Sequence, residues 1–420
     1  MGNLDAQQPA IAPPSTLEPP SRPPSAPSQV AAWLARNAVD SLPHGGLEAK
    51  LVESEREDRP LRVKLGIDPT SADIHLGHTV VLRKLREFQE LGHLVVLIIG
   101  DYTARVGDPS GRVVTRPMLD PAEIEANART YQEQAFKVLD GPRVEVRRNG
   151  EWLDMAMVDL FRLARTATVA QLLERDDFAK RYAAGEPITV LELLYPLMQG
   201  YDSVEVDADV ELGGTDQKFN LLLGRDVQRA YARPEQAVLT MPILPGTDGE
   251  RKMSKSLGNH VGIAEPAQEI YGKTLSLPDE AMESWYRLLL GEPARAGTGP
   301  RDAKRALARR LTAEAWDEEA ASRAEADFDR RFVENLPPED VPEVEFGADG
   351  RVVHVPAVIS EVFGGSRSQA RRLIAQGGVR LDGHVLGPED QDVDAERLDG
   401  SVLQIGKRRW ARLRARRKPT

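Results

Sequence analysis

Two apolar runs, residues 61–67 and 94–99, restrict the fold of this chain more than any other feature. The first alternates like a strand, and the second is continuously apolar, as expected for a buried parallel strand. Between them, apolar side chains from Val80 to Phe88 recur on one face of a predicted helix. Strand, helix and strand in this order form a βαβ unit, so we predict an α/β protein with a Rossmann-type parallel sheet.

The rest of the chain divides into segments of different composition. Proline, serine and alanine dominate the N-terminus, which cannot bury enough apolar surface to fold, and prolines near residue 337 mark a linker. The predicted organisation, in chain order, is a disordered extension (1–28), a Rossmann-type domain (29–261) with a mainly helical insertion (about 118–190), an α-helical domain (262–338), a linker (339–352) and a small α+β domain with a basic tail (353–420).

Charge is distributed unevenly along the chain. The formal net charge is −11, but residues 351–420 carry a net charge of +6, which leaves −17 for the remainder. A basic module on an acidic body suggests local binding of a phosphate backbone, although a solvated, disordered tail is the alternative. Within this module we predict a helix over 368–376 and short strands near 379–381 and 402–405.

Composition also excludes several classes of protein. Cysteine is absent, which rules out disulfides and cysteine-ligated zinc and is compatible with a reducing cytoplasm. No apolar stretch approaches the roughly 18 residues needed to cross a membrane, and the N-terminus has no signal-peptide pattern. We therefore predict a cytoplasmic protein with no membrane partner.

Two short segments carry residues that suit a nucleoside triphosphate. In residues 73–78, His75 and His78 flank Gly77 at the start of a predicted helix, where imidazoles and the helix N-terminus can bond phosphate oxygens. In residues 252–256, two ammonium groups and two hydroxyls share one loop and can neutralise charge on departing pyrophosphate. The residues of this second segment are Lys252, Met253, Ser254, Lys255 and Ser256.

Four further motifs occur at residues 107–112, 195–202, 213–217 and 366–374. With the two segments above, and in this order, they make the chain resemble bacterial tyrosyl-tRNA synthetases, which are class I aminoacyl-tRNA synthetases. The last motif resembles the S4 RNA-binding domain. The resemblance covers about residues 60–418 and implies two reactions: activation of L-tyrosine by ATP to tyrosyl-adenylate and pyrophosphate, and transfer of the tyrosyl group to the 3′ end of tRNA(Tyr).

The resemblance also implies an amino-acid pocket. Asp202 follows Gln199 by three residues and Tyr195 by seven, which places them on one helical face. Asp202 would accept the hydrogen bond of the substrate phenol, and a buried carboxylate without that partner would be costly; tyrosyl enzymes are the standard example of this rule. The remaining residues assigned to tyrosine by the resemblance are Asp68, Asp108, Tyr195, Gln199 and Gln217.

The resemblance assigns the remaining chemistry to residues on both sides of this pocket. Thr70 corresponds to a γ-phosphate contact, and Gly213 and Asp216 lie where the family binds the ATP ribose. Arg112 and Arg116 correspond to basic side chains that bind pyrophosphate in the transition state, although a solvated loop is the alternative. Together with His75, His78, Lys252 and Lys255, these two arginines and Thr70 make up the predicted catalytic set.

Lys64 departs from the common pattern of the family. Many relatives have a tyrosine at this position that shares the phenol hydroxyl with the aspartate. The lysine either points away from the pocket or, if close to Asp202, lowers the pKa of that carboxyl group. The sequence leaves both possibilities open.

Partners follow from the same resemblance. The helical domain would contact the anticodon arm of tRNA, and Arg367, Arg371, Arg372 and Arg380 are the predicted phosphate contacts of the S4-like module. The family forms homodimers through the inserted region, so we expect a homodimer. Mg²⁺ would enter with ATP, since the sequence offers no metal site of its own.

Three other functions are compatible with parts of the sequence. A tryptophanyl enzyme shares the core but usually lacks an S4 module and this setting of Asp202. An RNA-binding regulator with an inactive core is disfavoured by the intact histidines and lysines. An enzyme that passes activated tyrosine to another acceptor is disfavoured by the basic C-terminal module.

Overall fold

The computed structural model describes residues 26–70, 73–109, 120–334, 336–338, 341–348, 351–406 and 409–416. Their contacts define two compact units. The first contains the described residues of 1–265 and 276–304, and the second contains those of 266–275 and 305–420. Of the extension predicted for residues 1–28, residues 1–25 lie outside the described residues. Residues 27 and 28 belong to the first helix.

The strands, in chain order, are β1 (Asp40–Leu42), β2 (Arg62–Ile67), β3 (Leu94–Ile99), β4 (Val144–Arg148), β5 (Val210–Gly214), β6 (Ala237–Met241), β7 (Glu343–Gly347), β8 (Val352–His354), β9 (Val379–Leu381), β10 (His384–Val385), β11 (Asp392–Asp394), β12 (Val402–Ile405) and β13 (Arg409–Arg416).

The α-helices are α1 (Pro27–Ala35), α2 (Gly46–Glu57), α3 (Leu76–Glu90), α4 (Thr103–Val106), α5 (Pro121–Ala135), α6 (Gly150–Leu153), α7 (Met157–Ala164), α8 (Val169–Leu172), α9 (Asp176–Ala184), α10 (Val190–Glu205), α11 (Lys218–Ala230), α12 (Ala267–Leu275), α13 (Asp279–Trp285), α14 (Pro300–Ala315), α15 (Glu318–Phe328), α16 (Val355–Phe363), α17 (Arg367–Ala375) and α18 (Ala395–Leu398). Short 3-10 turns cover Gly141–Arg143, Thr215–Gln217, Lys255–Leu257 and Pro388–Gln391, and π turns cover Tyr286–Leu290 and Asp329–Val333.

The first unit is built on a six-stranded sheet in the order β1-β6-β5-β2-β3-β4. All neighbours are parallel except β1, which runs antiparallel to β6. The chain adds β3 and β4 on one side of β2, and β5 and β6 on the other. The carboxyl ends of β2 and β5 therefore face a switch point, which is where open α/β sheets bind ligands. The Rossmann-type sheet predicted from the βαβ unit is confirmed.

Strand β4 was not predicted, because it lies within the insertion expected to be mainly helical. All five of its residues are partly exposed, and three of them are charged, so no apolar run or clean alternation marks it. Pairing with β3 at the edge of the sheet makes it a strand. The insertion is otherwise helical, with α5 before β4 and α6 to α9 after it.

The predicted boundary near residue 262 also differs from the structure. Residues 276–304 group with the sheet-containing unit. Trp285 is fully buried there, and its indole Nε1–H donates to the carbonyl of Pro245 over 3.1 Å. This anchor attaches residues 276–304, the middle part of the predicted helical domain, to the rest of the first unit.

The second unit contains helices α12 and α15 and a small α+β module. Tyr271, Ala308 and Ala324 form the buried contact among the helices. The module has a five-stranded sheet in the order β10-β9-β12-β13-β7 and a separate β8–β11 pair. Apolar side chains of α16 and α17 share its core with these strands.

Two predictions about this unit require correction. The segment 339–352, predicted as a linker, contains β7, which pairs in parallel with β13. The basic run near the C-terminus contains β13, so the alternative of a disordered tail does not hold for residues 409–416. Trp410, Ala411 and Leu413 of that strand are buried, while Arg409, Arg414 and Arg416 remain exposed. Residues 407–408 and 417–420 lie outside the described residues.

Among the described residues, no helix combines the length and apolar character that crossing a membrane requires.

Candidate active site

The switch point of the sheet opens into a pocket of about 610 Å³. Its lining includes the two histidines, the lysine loop and Asp202. Predicted site residues that line it are Asp68, Thr70, His75, Gly77, His78, Asp108, Tyr195, Gln199, Asp202, Gly213, Asp216, Gln217, Lys252, Met253, Ser254, Lys255 and Ser256. Arg112 and Arg116 lie outside the described residues.

The two imidazoles stand side by side at the start of α3, with ring centroids 4.0 Å apart. Nδ1 of His75 accepts the backbone N–H of Gly77 over 3.2 Å, and Nδ1 of His78 accepts the backbone N–H of His75 over 3.3 Å. These bonds cap the helix and assign the proton of each neutral ring to Nε2. Both Nε2–H groups are therefore available as donors.

Both histidines are held neutral. Burial lowers the pKa of His78 to about 4, and the charge of Lys252 adds to the effect. Burial also lowers the pKa of His75 to about 2, with contributions from the neighbouring imidazoles and Lys252. Neutral rings act here as hydrogen-bond donors of fixed orientation and not as cations.

The lysine loop lies across the mouth of the pocket. Lys252 pairs with Asp216, and Lys255 pairs with Asp73. Both lysines are about half exposed, so their ammonium groups can change partners at low cost. Met253, between them, is buried and anchors the loop.

Asn259 holds the base of this loop, a role the sequence motifs did not indicate. Its side-chain carbonyl accepts the backbone N–H of Ser254 over 2.8 Å. Its amide donates to Asp248 over 2.9 Å and to the backbone carbonyl of Lys252 over 3.2 Å. The side chain is buried, so its bonds fix the loop without competition from water.

The same segment joins the loop to the histidine segment. The backbone N–H of Leu76 donates to Val261 over 2.9 Å, and that of Ile263 donates to Ile74 over 3.0 Å. These short antiparallel contacts place the two signature segments against each other, although they lie far apart in the sequence.

Asp202 also lines the pocket and is only 3% exposed. Its carboxylate accepts the indole Nε1–H of Trp152 over 2.8 Å and an amide N–H of Asn149 over 3.4 Å. Burial raises the pKa of Asp202 to about 7, against the opposing effects of Lys64 and these two donors. A carboxylate in this setting is poised to accept one further strong hydrogen bond.

Lys64 does not line the pocket. Its Nζ lies 2.8 Å from the carboxylate of Glu211 and also donates to the hydroxyl of Ser203 over 2.7 Å. Both possibilities raised by the sequence therefore apply, since the side chain points away from the pocket and its charge still lowers the pKa of Asp202.

A second cluster of polar groups is centred on Asp68, which also lines the pocket. The phenol of Tyr195 donates to Asp68 over 2.8 Å, and the hydroxyl of Thr103 donates to the other oxygen of Asp68 over 2.6 Å. Burial and the adjacent carboxylates raise the pKa of Tyr195 well above its usual value, so it remains a donor. Asp68 lines the pocket, and its contact with the amino acid stays a prediction.

Asp108 and Gln199 belong to a network centred on Asn220. Gln217 donates to Asp108 over 2.8 Å. The amide of Asn220 donates to Gln199 over 2.9 Å and to Gln217 over 3.0 Å. The network fixes the orientation of carboxylate and amide oxygens that can accept N–H donors from a cationic amine.

Five of the residues that build these clusters escaped the sequence analysis, because no local pattern distinguishes them. They are Thr103, Asn149, Trp152, Asn220 and Asn259. Only Asn259 carried a weak signal in the sequence, since it lies three residues after the end of the predicted lysine segment at residues 252–256.

The predicted RNA contacts lie on the module of the second unit. Arg367, Arg371 and Arg372 are exposed on α17, and Arg380 is exposed on β9. Arg371 donates to His354 over 3.3 Å, and His354 in turn contacts Asp392 over 2.8 Å. The arginines thus present a positive, solvent-accessible face.

Comparison with known proteins places this geometry in a family. The chain matches the family described as tRNA synthetases class I (W and Y) over residues 56–333, and the S4 domain over residues 355–391. It is 50% identical over 392 residues to the tyrosine--tRNA ligase of Moorella thermoacetica, covering 90% of this chain and 94% of the relative. It is 49% identical to that of Thermotoga maritima, covering 90% and 96%.

Solved structures share the fold of the first unit and its surroundings. A C-terminally truncated mitochondrial tyrosyl-tRNA synthetase of Aspergillus nidulans has a TM-score of 0.59 and 20% identity, covering 71% of this chain and 92% of that one. The Archaeoglobus fulgidus tyrosyl-tRNA synthetase complexed with L-tyrosine has a TM-score of 0.57 and 23% identity, covering 69% and 97%. Because the family match spans more than half of the chain and the 50%-identical relatives span nearly all of it, the chain belongs to the tyrosyl branch of the class I tRNA synthetases.

Proposed function

We propose that this protein is a tyrosine--tRNA ligase that activates L-tyrosine with ATP and transfers the tyrosyl group to the 3′ end of tRNA(Tyr). The observation that carries the proposal is one pocket lined by a buried carboxylate, two neutral imidazoles and two lysines. The carboxylate fits a phenol, and the imidazoles and lysines fit a triphosphate. Both substrates of the first step can therefore bind in the same cavity.

In the first step, the carboxylate of tyrosine attacks the α-phosphorus of ATP and displaces pyrophosphate. No general base is needed, because the attacking carboxylate is already ionised. Rate acceleration then comes from orientation of the reactants and from stabilisation of charge on the phosphates. The Nε2–H groups of His75 and His78 supply donors that need no reorganisation during the reaction.

The lysine loop supplies the remaining positive charge. Lys252 and Lys255 are each paired with one exposed or half-exposed carboxylate, Asp216 and Asp73. A triphosphate carries more negative charge than either carboxylate, so both ammonium groups would transfer to it when ATP binds. The loop would close over the phosphates as the pairs exchange. Arg112 and Arg116 are proposed to add charge from residues outside the described part of the chain.

Mg²⁺ is proposed to arrive with ATP. Among the described residues, no group of three or more acidic or histidine side chains is arranged to hold a metal ion. Mg²⁺ commonly keeps several waters and is bound through substrate phosphates, which agrees with this donor set. When bound, the ion would neutralise phosphate charge.

Contact with tRNA is assigned to the basic face of the second unit. Arg367, Arg371, Arg372 and Arg380 are exposed and can reach phosphate oxygens, which set position but not sequence specificity. Contact of the anticodon arm with the helical segment and a cytoplasmic location are parts of the same proposal.

A homodimer is proposed to form through the inserted region. Seven large hydrophobic side chains are exposed between the start of α7 and the start of α10, namely Met157, Val158, Phe161, Val169, Tyr182, Val190 and Leu191. Such a concentration of exposed apolar side chains is typical of a protein interface. Phe161→Asp should convert the dimer to a monomer in light scattering, whereas the exposed apolar control Val52→Asp on α2 should not; a wild-type monomer would refute the proposal.

The activity itself is tested by ATP–pyrophosphate exchange with tyrosine, phenylalanine or tryptophan, followed by charging of tRNA(Tyr). Exchange with tyrosine and charging of tRNA would support the proposal. Exchange with tryptophan would favour a tryptophanyl enzyme, and exchange without charging would favour another acceptor. No exchange by a folded sample would favour an RNA-binding protein with an inactive core.

A further inference from the structure

A buried ion pair lies next to the proposed tyrosine pocket, and no step of the proposed reaction uses it. Lys64 and Glu211 face each other in the register between β2 and β5. Their side chains are 0% and 1% exposed, and Nζ lies 2.8 Å from the carboxylate oxygen. Burying two charges is costly, and pairs of this kind often add little to stability compared with apolar residues of the same size.

The remaining contacts of Lys64 reach the helix that carries the tyrosine-binding residues. Its ammonium group has three N–H donors, and the two not used by Glu211 go to the backbone carbonyl of Gln199 over 2.9 Å and the hydroxyl of Ser203 over 2.7 Å. The hydroxyl of Ser203 donates onward to Glu211 over 3.2 Å. These two acceptors flank Asp202 in the sequence of α10, so the pair holds the turn that presents Asp202.

The surroundings of Asp202 contain few groups that favour its ionised form. Within the part of the chain that the structure describes, its oxygens accept hydrogen bonds from the neutral side chains of Asn149 and Trp152. The adjoining part of the pocket carries further acidic groups, with Asp68 bonded to the phenol of Tyr195. Lys64 on β2 acts on Asp202 as a positive charge and Glu211 on β5 as a negative one, and the effect of Lys64 is the larger.

We propose that the Lys64–Glu211 pair determines how strongly the site selects tyrosine over phenylalanine, because it positions Asp202 and maintains that carboxyl group in its ionised form. Lys64 is thus a positioning residue that contacts no substrate. The inference rests on the proposed function, in which Asp202 accepts the phenol hydrogen bond.

Selectivity depends on the free-energy cost of leaving the buried carboxyl group of Asp202 without a hydrogen-bond partner. When phenylalanine occupies the pocket, an ionised and buried Asp202 lacks its last partner and phenylalanine binds poorly. A protonated Asp202 loses much less in the same situation, since a neutral carboxyl group is cheaper to leave unsatisfied. Selectivity should therefore fall as the pH drops below the pKa of Asp202, which is about 7.

The test measures kcat/KM for tyrosine and for phenylalanine in ATP–pyrophosphate exchange between pH 5.5 and 9. The ratio of the two values cancels titrations that both substrates share, including those of ATP. In the unmodified protein the ratio should rise with pH and level off above about 7. In Lys64→Met the rise should move up by about one pH unit, and the ratio at neutral pH should fall about tenfold.

Glu211→Gln provides the decisive second variant, because it keeps the shape and the hydrogen bond to Lys64. Removing the negative charge favours ionisation of Asp202, so the rise in selectivity should move to lower pH. Lys84→Met is the matched control: Lys84 is also buried and paired with a glutamate, Glu87, but it donates to the backbone carbonyl of Arg36 and not to α10. It should leave the ratio and its pH dependence unchanged.

Opposite shifts in Lys64→Met and Glu211→Gln would support the proposal, because a purely structural loss cannot move the same pH profile in two directions. Shifts in the same direction, or an unchanged profile with lower kcat, would overturn it. If Lys64→Met fails to fold in a thermal unfolding assay, Glu211→Gln decides alone, since an unchanged or upward-shifted profile contradicts the proposal. Absence of tyrosine exchange in the unmodified protein would instead refute the proposed function.

Discussion

Asp202 should destabilise the folded protein at neutral and alkaline pH, and Asp202→Asn tests this directly. The carboxyl group has a pKa of about 7 in the folded protein, against an ordinary value of 3.8, because it is buried. As the pH rises above 3.8, the unfolded chain gains from ionisation while the folded chain does not. The loss of stability therefore begins near pH 4 and is complete above pH 7.

The magnitude follows from the difference of about three pH units. At 1.36 kcal/mol per unit, the full cost above pH 7 is about 4 kcal/mol, of which about 1.5 kcal/mol already applies at pH 5. Asparagine cannot ionise and avoids this loss. When the pH is raised from 5 to 8, the free energy of unfolding of Asp202→Asn should therefore increase by about 3 kcal/mol relative to that of the unmodified protein. Comparing two pH values removes the constant effect of the altered hydrogen bonds to Asn149 and Trp152.

The assay is thermal unfolding of both proteins at pH 5 and pH 8, with Asp207→Asn as the control. Asp207 carries the same charge change on an exposed side chain of the first unit. For a unit of this size, about 3 kcal/mol corresponds to roughly 6 °C in Tm. The Tm of Asp202→Asn relative to that of the unmodified protein should therefore be higher at pH 8 than at pH 5 by this amount. Parallel changes in Tm for Asp202→Asn and the unmodified protein would refute the argument that burial raises the pKa of Asp202.

Three further predictions concern the ATP loop, the histidines and RNA. Asn259→Ala should raise KM for ATP about tenfold, because the hydrogen bonds that fix the loop are lost. The affinity for tyrosine, measured by fluorescence titration, should stay unchanged, and a changed affinity would contradict this prediction. His78→Phe should lower kcat of exchange about 100-fold with little change in KM for tyrosine, because a donor to phosphate is removed; an equal rise in KM would argue against a role in the transition state. Arg371→Ala should weaken tRNA binding and reduce its salt slope by about one, with exchange unaffected, as filter binding at several salt concentrations would reveal; an unchanged slope would exclude a phosphate contact.

The local sequence was sufficient for those parts of the fold that depend on neighbouring residues. Helical spacing from Val80 to Phe88 and the apolar runs on either side predicted α3 between β2 and β3, and the structure has all three. The basic excess after residue 350 predicted a separate module, and its helix and two of its strands lie within one or two residues of the predicted ranges. Periodicity reports which face of an element is buried, and that information is contained in the element itself.

Segments whose structure depends on distant partners could not be predicted in the same way. Strand β4 is charged and partly exposed, and β7 lies in a proline-rich stretch, so each becomes a strand only through its neighbour in the sheet. Conformations of this kind depend on contacts that local propensity does not contain.

The residues of the site also fall into those that the sequence predicted and those that only the structure revealed. Sequence motifs predicted Asp202, the histidines and the lysine loop, because residues that bind common groups recur at recognisable spacings. Only the tertiary structure placed Asn149 and Trp152 against Asp202 and turned Lys64 away from the pocket toward Glu211. The physical reason is that burial and the position of neighbouring charges determine the pKa of a carboxyl group, and both arise only when segments far apart in the chain are packed together.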